Sequence, residues 1–217
     1  MSPRQPAQER GGGEPIVIIV EDDTEFRDAL KRLFRTVGVR TEIFESAGEL
    51  LQSKLPEVPS CLVLDVRLPG LSGLDIQSEL AKTDINIPII FMTGHGDIPM
   101  SVKAMKAGAV DFLTKPFRDQ DMLDAVVAAI ERDRRRREHE KAASGLKERF
   151  ESLSPREREI MVLVSTGLMN KQVAAEVGLS EITVKIHRGK VMRKMGAKSL
   201  ADLVRMTETL GIARGKP

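Results

Sequence analysis

Between Ile16 and Thr114 five short apolar runs recur, each separated from the next by a stretch with helical spacing: IVIIV, VRTEIF, CLVLDV, IPIIFMT and VDFLT. The intervening segments read as helices from about Thr24 to Val37, near 46 to 54, near 72 to 82 and near 98 to 107, and a fifth begins near Asp119. Near-continuous apolar strands alternating with helices need cover on both faces, which constrains this part of the chain to an α/β fold: a doubly wound, five-stranded parallel sheet. In such a sheet the residues that follow the strands collect along one edge, and chemistry gathers there.

That edge is chemically biased. Glu21, Asp22 and Asp23 follow the first strand, Asp65 ends the third, Thr93 and Gly94 end the fourth, and Thr114, Lys115 and Pro116 end the fifth. Carboxylates from two strands make an oxygen-rich site suited to a hard divalent cation, most simply Mg²⁺. A carboxylate nucleophile, a metal, a hydroxyl and an ammonium together describe phosphoryl transfer onto an aspartate, with Asp65 as acceptor and Thr93 and Lys115 stabilising the phosphoryl oxygens. Phosphatases of the haloacid-dehalogenase type also use a strand-end aspartate, but they need a second aspartate two residues later. Here that position is Arg67, which argues against sustained turnover.

Residues 15 to 130 resemble, at each of these landmarks, the receiver domain of two-component response regulators. The resemblance implies a flavodoxin-like fold, Asp65 as phosphoacceptor, and Mg²⁺ held by Asp22, Asp23, Asp65 and the backbone carbonyl of Arg67. It further implies that Thr93 and Lys115 bind the phosphoryl group and that the Lys115–Pro116 peptide is cis. The aromatic that turns inward in this family, three residues before the lysine, corresponds to Phe112. A Phe rather than a Tyr there leaves switching to packing, without a hydroxyl. Receivers hydrolyse their own phosphoaspartate slowly, so the chain is expected not to be an enzyme in the ordinary sense.

Beyond Ile130 the apolar stripe stops at ERDRRRREHEKAASGLKERF, and 131 to 150 reads as a solvated, charged, partly helical linker. After it SPRERE opens a helix with Ser154 as N-cap, Pro155 at the first helical position and Glu157 completing a capping box. Helices follow from about Asn170 to Val177, Glu181 to Met195 and Ser199 to Leu210, with a tight Gly178-Leu179-Ser180 turn between the first two of these. Two helices around such a turn are the layout of a helix-turn-helix in a small all-α domain. Along the second, Ile182, Ile186 or Val191 and Met195 are expected to face the core, while Lys185, Arg188, Lys190, Arg193 and Lys194 supply positive charge for phosphates or guanine edges.

The segment SPREREIMVLVSTGLMNKQVAAEVGLSEITVKIHRGKVMRKMGAKSLADLV is similar throughout to the four-helix DNA-binding domain of the LuxR type, and the whole chain resembles FixJ/NarL-family response regulators. The resemblance implies that Lys171 and Thr183 contact phosphates and that Lys185, Ile186 and Gly189 face the bases. Gly189 departs from the longer polar residue common there, leaving Arg188 or Lys190 to take over. His187 has no second ligand spaced with it, so packing or a phosphate contact is expected.

Charge follows the same division. Residues 14 to 130 carry 12 Lys and Arg against 19 Asp and Glu, whereas 150 to 217 carry 12 against 7. A basic second half suits a polyanion. No apolar run reaches the roughly 18 residues of a membrane span, the N-terminus has no signal-peptide core, and the one cysteine, Cys61, excludes an internal disulfide. The expected organisation is a disordered tail at 1 to 14, a receiver at 15 to 130, the linker at 131 to 150 and a helix-turn-helix domain at 151 to 213. The expected protein is a cytoplasmic transcription regulator. Its implied partners are a sensor histidine kinase, promoter DNA, a second copy of itself on phosphorylation, and RNA polymerase, with no membrane. The alternative is a regulator whose receiver-like domain dimerises without phosphorylation.

Overall fold

The computed structural model describes residues 13–83, 85–94 and 98–212. The expected tail at 1 to 14 falls largely outside the described residues. Contacts divide the chain into two compact units, Met1–Arg137 and Glu138–Pro217.

In the first unit, strands β1 (Ile16–Val20), β2 (Arg40–Phe44), β3 (Ser60–Asp65), β4 (Ile89–Thr93) and β5 (Asp111–Thr114) form one sheet in the order β2-β1-β3-β4-β5. All pairings are parallel. Helices α1 (Thr24–Thr36), α2 (Ala47–Gln52), α3 (Gly73–Lys82), α4 (Ile98–Lys106) and α5 (Asp119–Glu151) connect and follow the strands. The period of two along a strand sorts the apolar side chains into two cores. Ile16, Ile18, Val20, Leu62, Leu64 and Phe91 pack with Leu50, Ile76, Leu80 and Ala104 of α2, α3 and α4. Val17, Ile19, Cys61, Val63, Ile90 and Met92 pack on the opposite face with Leu30, Phe34, Met122 and Val126 of α1 and α5. Both faces are therefore covered, as the near-continuous apolar strands require.

The register brings the strand ends level, with Val20 beside Leu64, Asp65 beside Met92 and Thr93 beside Thr114. The loop after β3 turns back through Gly73, whose N–H donates to the Val66 carbonyl at 2.9 Å. A Cβ at Gly73 would lie 2.6 Å from the Asp65 carbonyl oxygen, so only glycine lets α3 start this close to the strand end.

The charged segment 131 to 150 lies within α5, and its first two turns belong to the first unit. Asp133 continues the buried face of Ala129 and Ile130 and is wholly buried. It takes a core position because partners meet it there: the Ser60 N–H donates to it at 2.9 Å, and Arg136 and Arg137 donate at 2.6 and 2.7 Å. Arg137 also donates to the Pro56 carbonyl, tying α5 to the loop before β3. A run of arginines reads from sequence as a solvated face; two of these four are committed to a buried carboxylate.

In the second unit α6 (Pro155–Ser165), α7 (Asn170–Val177), α8 (Glu181–Met195) and α9 (Leu200–Thr209) close around Ile160, Leu163, Val173, Val184, Val191, Met195 and Leu203. Ser154 and Glu157 form the capping box at the start of α6. Glu157 also pairs with Lys194 at 2.7 Å, joining α6 to the end of α8. Gly178 takes a left-handed conformation at the end of α7, with φ of 65°, which makes the sharp turn into α8.

Candidate functional site

Asp65 lies 6% exposed at the end of β3. Its Oδ2 receives the Lys115 ammonium at 2.6 Å, and its Oδ1 accepts the Arg67 N–H at 2.9 Å. Lys115 comes from just beyond β5, where its peptide bond to Pro116 is cis and its N–H donates to the Thr93 carbonyl. The same ammonium reaches Glu21 Oε2 at 2.6 Å and stands 4.1 Å from the centre of the Phe26 ring. Thr93 is fully buried at the end of β4. Phe112, half-buried in β5, packs on Phe91 with ring centres 6.3 Å apart.

The acidic set differs from the expected one by one residue. Oxygens of Glu21, Asp22 and Asp65 lie within 4.8 Å of one another. Asp23 is instead the N-cap of α1, its carboxylate accepting the N–H groups of Glu25 and Phe26 at 2.9 and 3.0 Å. Capping satisfies orphan amides of the first helical turn and turns the Asp23 side chain to that task. Glu21, one residue beyond β1, is carried inward and is 1% exposed. An Asp directly before Thr-Glu-Phe-Arg also reads from the sequence as a helix N-cap, about as well as it reads as a metal ligand, and Asp23 takes the cap.

Burial pushes the Glu21 carboxyl above its ordinary value, and the hydrogen bond and charge of Lys115 pull against that without reversing it. Burial alone would lower Lys115, but its hydrogen bonds and charge pairing with Asp65 and Glu21 outweigh it and hold the ammonium above its ordinary value. The result is a protonated lysine poised between two carboxylates. An all-oxygen donor set suits Mg²⁺, which takes few protein ligands and retains waters, so the residues present fit that ion. Chemically the edge offers a carboxylate with a cation at its oxygen and a buried hydroxyl on the neighbouring strand.

The second unit presents a basic face. Lys171 at the start of α7 and Lys185, Gly189 and Lys190 along α8 are exposed, and Thr183 is half-buried with its hydroxyl 2.8 Å from that of the N-cap Ser180. Arg188 is half-buried and donates to the Asn170 side chain at 3.0 Å, so its guanidinium is directed toward α7. Nδ1 of His187 is buried with no hydrogen-bond partner among the described residues. Ile182 does not face the core: it is 75% exposed, and Ile186 is 55% exposed. The core stripe of α8 runs through Val184, Val191 and Met195, and at 100° per residue positions 182 and 186 lie about 200° from 184.

Comparison with known proteins agrees with both halves. Residues 17–127 match the family described as "Response regulator receiver domain", and residues 151–207 match "Bacterial regulatory proteins, luxR family". The chain is 69% identical over 198 residues to Nodulation protein W of Bradyrhizobium diazoefficiens, covering 91% of this chain and 87% of that protein. It is 48% identical over 195 residues to response regulator protein TodT of Pseudomonas putida, covering 90% and 86%. Among solved structures, response regulator StyR matches with a TM-score of 0.82 at 45% identity, covering 90% of this chain and 98% of that one. Full-length FixJ from B. japonicum matches with a TM-score of 0.55 at 37% identity, covering 94% and 99%.

Proposed function

Because the chain belongs to the response regulators that join a receiver to a LuxR-type DNA-binding domain, and is therefore a DNA-binding transcription regulator, we propose that Asp65 is its phosphoacceptor and Lys115 and Thr93 its phosphoryl-binding groups. The observation that carries this is the Lys115 ammonium held 2.6 Å from Asp65 and from Glu21 at the carboxyl edge of the sheet. An Asp65 oxygen attacks the phosphorus of a phosphohistidine on a sensor kinase. The P–O bond forms as the P–N bond breaks, and the histidine nitrogen leaves with the bonding pair. Glu21, Asp22, Asp65 and the Arg67 carbonyl would hold Mg²⁺, which supplies positive charge against the phosphoryl oxygens when bound. Asp23 has no part in that set.

Lys115 releases part of its hold on Asp65 to pair with the phosphoryl group, and the Thr93 hydroxyl hydrogen-bonds to it. Phe112, already packed on Phe91, follows Thr93 inward, and the receiver then favours a second copy. The paired helix-turn-helix domains bind promoter DNA in the cytoplasm and act on RNA polymerase. Lys171 and Thr183 contact phosphates, with Lys185, Ile186, Gly189 and Lys190 toward the bases. Arg188 braces α7 through Asn170. Slow hydrolysis of the phosphoaspartate resets the protein.

Intact-mass spectrometry after incubation with a small phosphodonor, with and without Mg²⁺, tests the reading. One Mg²⁺-dependent phosphoryl adduct, absent from Asp65→Asn, is expected. No adduct on the wild type would refute phosphoacceptance and leave a DNA-binding regulator with a constitutive receiver-like module.

A further inference from the structure

The apolar stripe exposed on α8 has no place in a merely solvated helix. Ile182 and Ile186, four residues apart, share the face opposite the core stripe, and they are 75% and 55% exposed. The next position in that row, Gly189, opens onto empty space, with nothing within 4 Å of where a Cβ would stand. The stripe is bordered by exposed Lys185 and Lys190, with exposed Lys171 on the neighbouring α7. Two branched apolar side chains amid lysines suit a partner that is polyanionic and yet offers isolated methyl groups at close range.

One nucleic-acid feature answers that description. The 5-methyl group of thymine projects into the major groove of B-form DNA and is recognised by apolar contact. RNA lacks this methyl group, and the major groove of its helices is too deep and narrow for side chains to read. β-branched isoleucines are stiff at χ1, so they lose little rotamer freedom on contact. The helical rise separates Ile182 from Ile186 by about 6 Å, which is roughly two base-pair steps.

We propose that Ile182 and Ile186 read the methyl groups of two thymines about two steps apart in each half-site, and that Gly189 keeps the helix close to the groove floor without reading a base itself. The proposal deepens the reading in which α8 enters the major groove, and rests on it. Ile182 becomes a specificity residue rather than the core residue that its sequence position suggests.

The test uses the full-length protein with its phosphodonor. Binding duplexes are selected from a random synthetic library, and each thymine of an enriched duplex is then replaced singly by deoxyuridine, which removes only the methyl group. Affinity is measured at one fixed salt concentration. At two thymines per half-site the replacement is expected to weaken binding by about fourfold, the effect of removing one methyl-sized apolar contact. At one of those thymines the effect disappears in Ile182→Ser, and at the other in Ile186→Ser. Deoxyuridine without effect at every thymine would overturn the proposal while leaving DNA binding intact, as would methyl effects that persist unchanged in both serine variants. Failure to enrich any duplex would sink the groove reading itself, and the proposal with it.

Discussion

Replacing Asp133 by Ala should loosen the receiver far more than an arginine-rich stretch of helix would suggest. The side chain is wholly buried and accepts from the Ser60 N–H, Arg136 and Arg137. Losing it strands the Ser60 amide, worth about 1–3 kcal/mol when left unpaired in the interior. It also takes one counter-charge away from the guanidinium groups of Arg136 and Arg137. Breaking a fully buried pair costs roughly 3–5 kcal/mol, but both arginine side chains are 30% exposed, and solvent screens much of that. A total of about 3 kcal/mol is therefore expected, equivalent to roughly a hundredfold change in an opening equilibrium. Native-state hydrogen exchange of the full chain reads it directly, because the amides of β3 exchange only through large-scale opening of the receiver. Exchange at residues 61 to 64 should accelerate by about two orders of magnitude, while amides of α6 to α9 stay unchanged. Asp133→Asn, which keeps an acceptor for Ser60 but no charge, should fall between the two. An acceleration under about threefold in the Ala variant, or one spread equally over both units, would refute the assignment of Asp133 as the brace between α5 and β3.

Cys61 is fully buried, and burial first, then the nearby Asp133 charge, pushes its thiol far above the ordinary value; it should resist an aqueous thiol reagent in the native state and react rapidly once urea unfolds the receiver. Gly73→Ala drives a Cβ against the Asp65 carbonyl oxygen, so the receiver should lose about 1–3 kcal/mol by urea titration and accept phosphoryl more slowly; unchanged values of both would show that the loop yields freely. The Glu157 carboxyl is held below its ordinary value of 4.5 by the Lys194 hydrogen bond and, next, the Ser154 N–H. Its contribution to the second unit is thus complete above that value and lost as pH falls through the lower folded value. Glu157→Gln should flatten the acid limb of the helical domain's stability curve, and an unaltered limb would exclude the pair as its source.

Much of this protein is legible along the chain because the controlling interactions are local or periodic. Alternating apolar runs and helical segments require a doubly covered parallel sheet, and the sheet brings Asp65, Thr93 and Lys115 to one edge. The capping box of Ser154 and Glu157 and the turn at Gly178 mark the helical domain residue by residue. Legibility fails where two local readings are equally good. Asp23 could ligate a metal or cap α1, and Ile182 could enter the core of α8 or leave it, depending on a helical phase set by Val184, Val191 and Met195. Asp133 is invisible for a different reason, since the strand partner that meets it, Ser60, is 73 residues away.

By itself, then, the order of residues determined the α/β and all-α fold classes and the residue types at the strand ends, because backbone hydrogen bonding and side-chain periodicity act over a few residues. Which of two local patterns Asp23 takes, which isoleucine meets solvent and which carboxylate is buried were decided only in three dimensions. The buried carboxylates depend on groups brought in from far along the chain, as Lys115 is brought 94 residues to Glu21. Charge pairing at 2.6 Å and the exclusion of water are properties of that meeting, and no local pattern contains them.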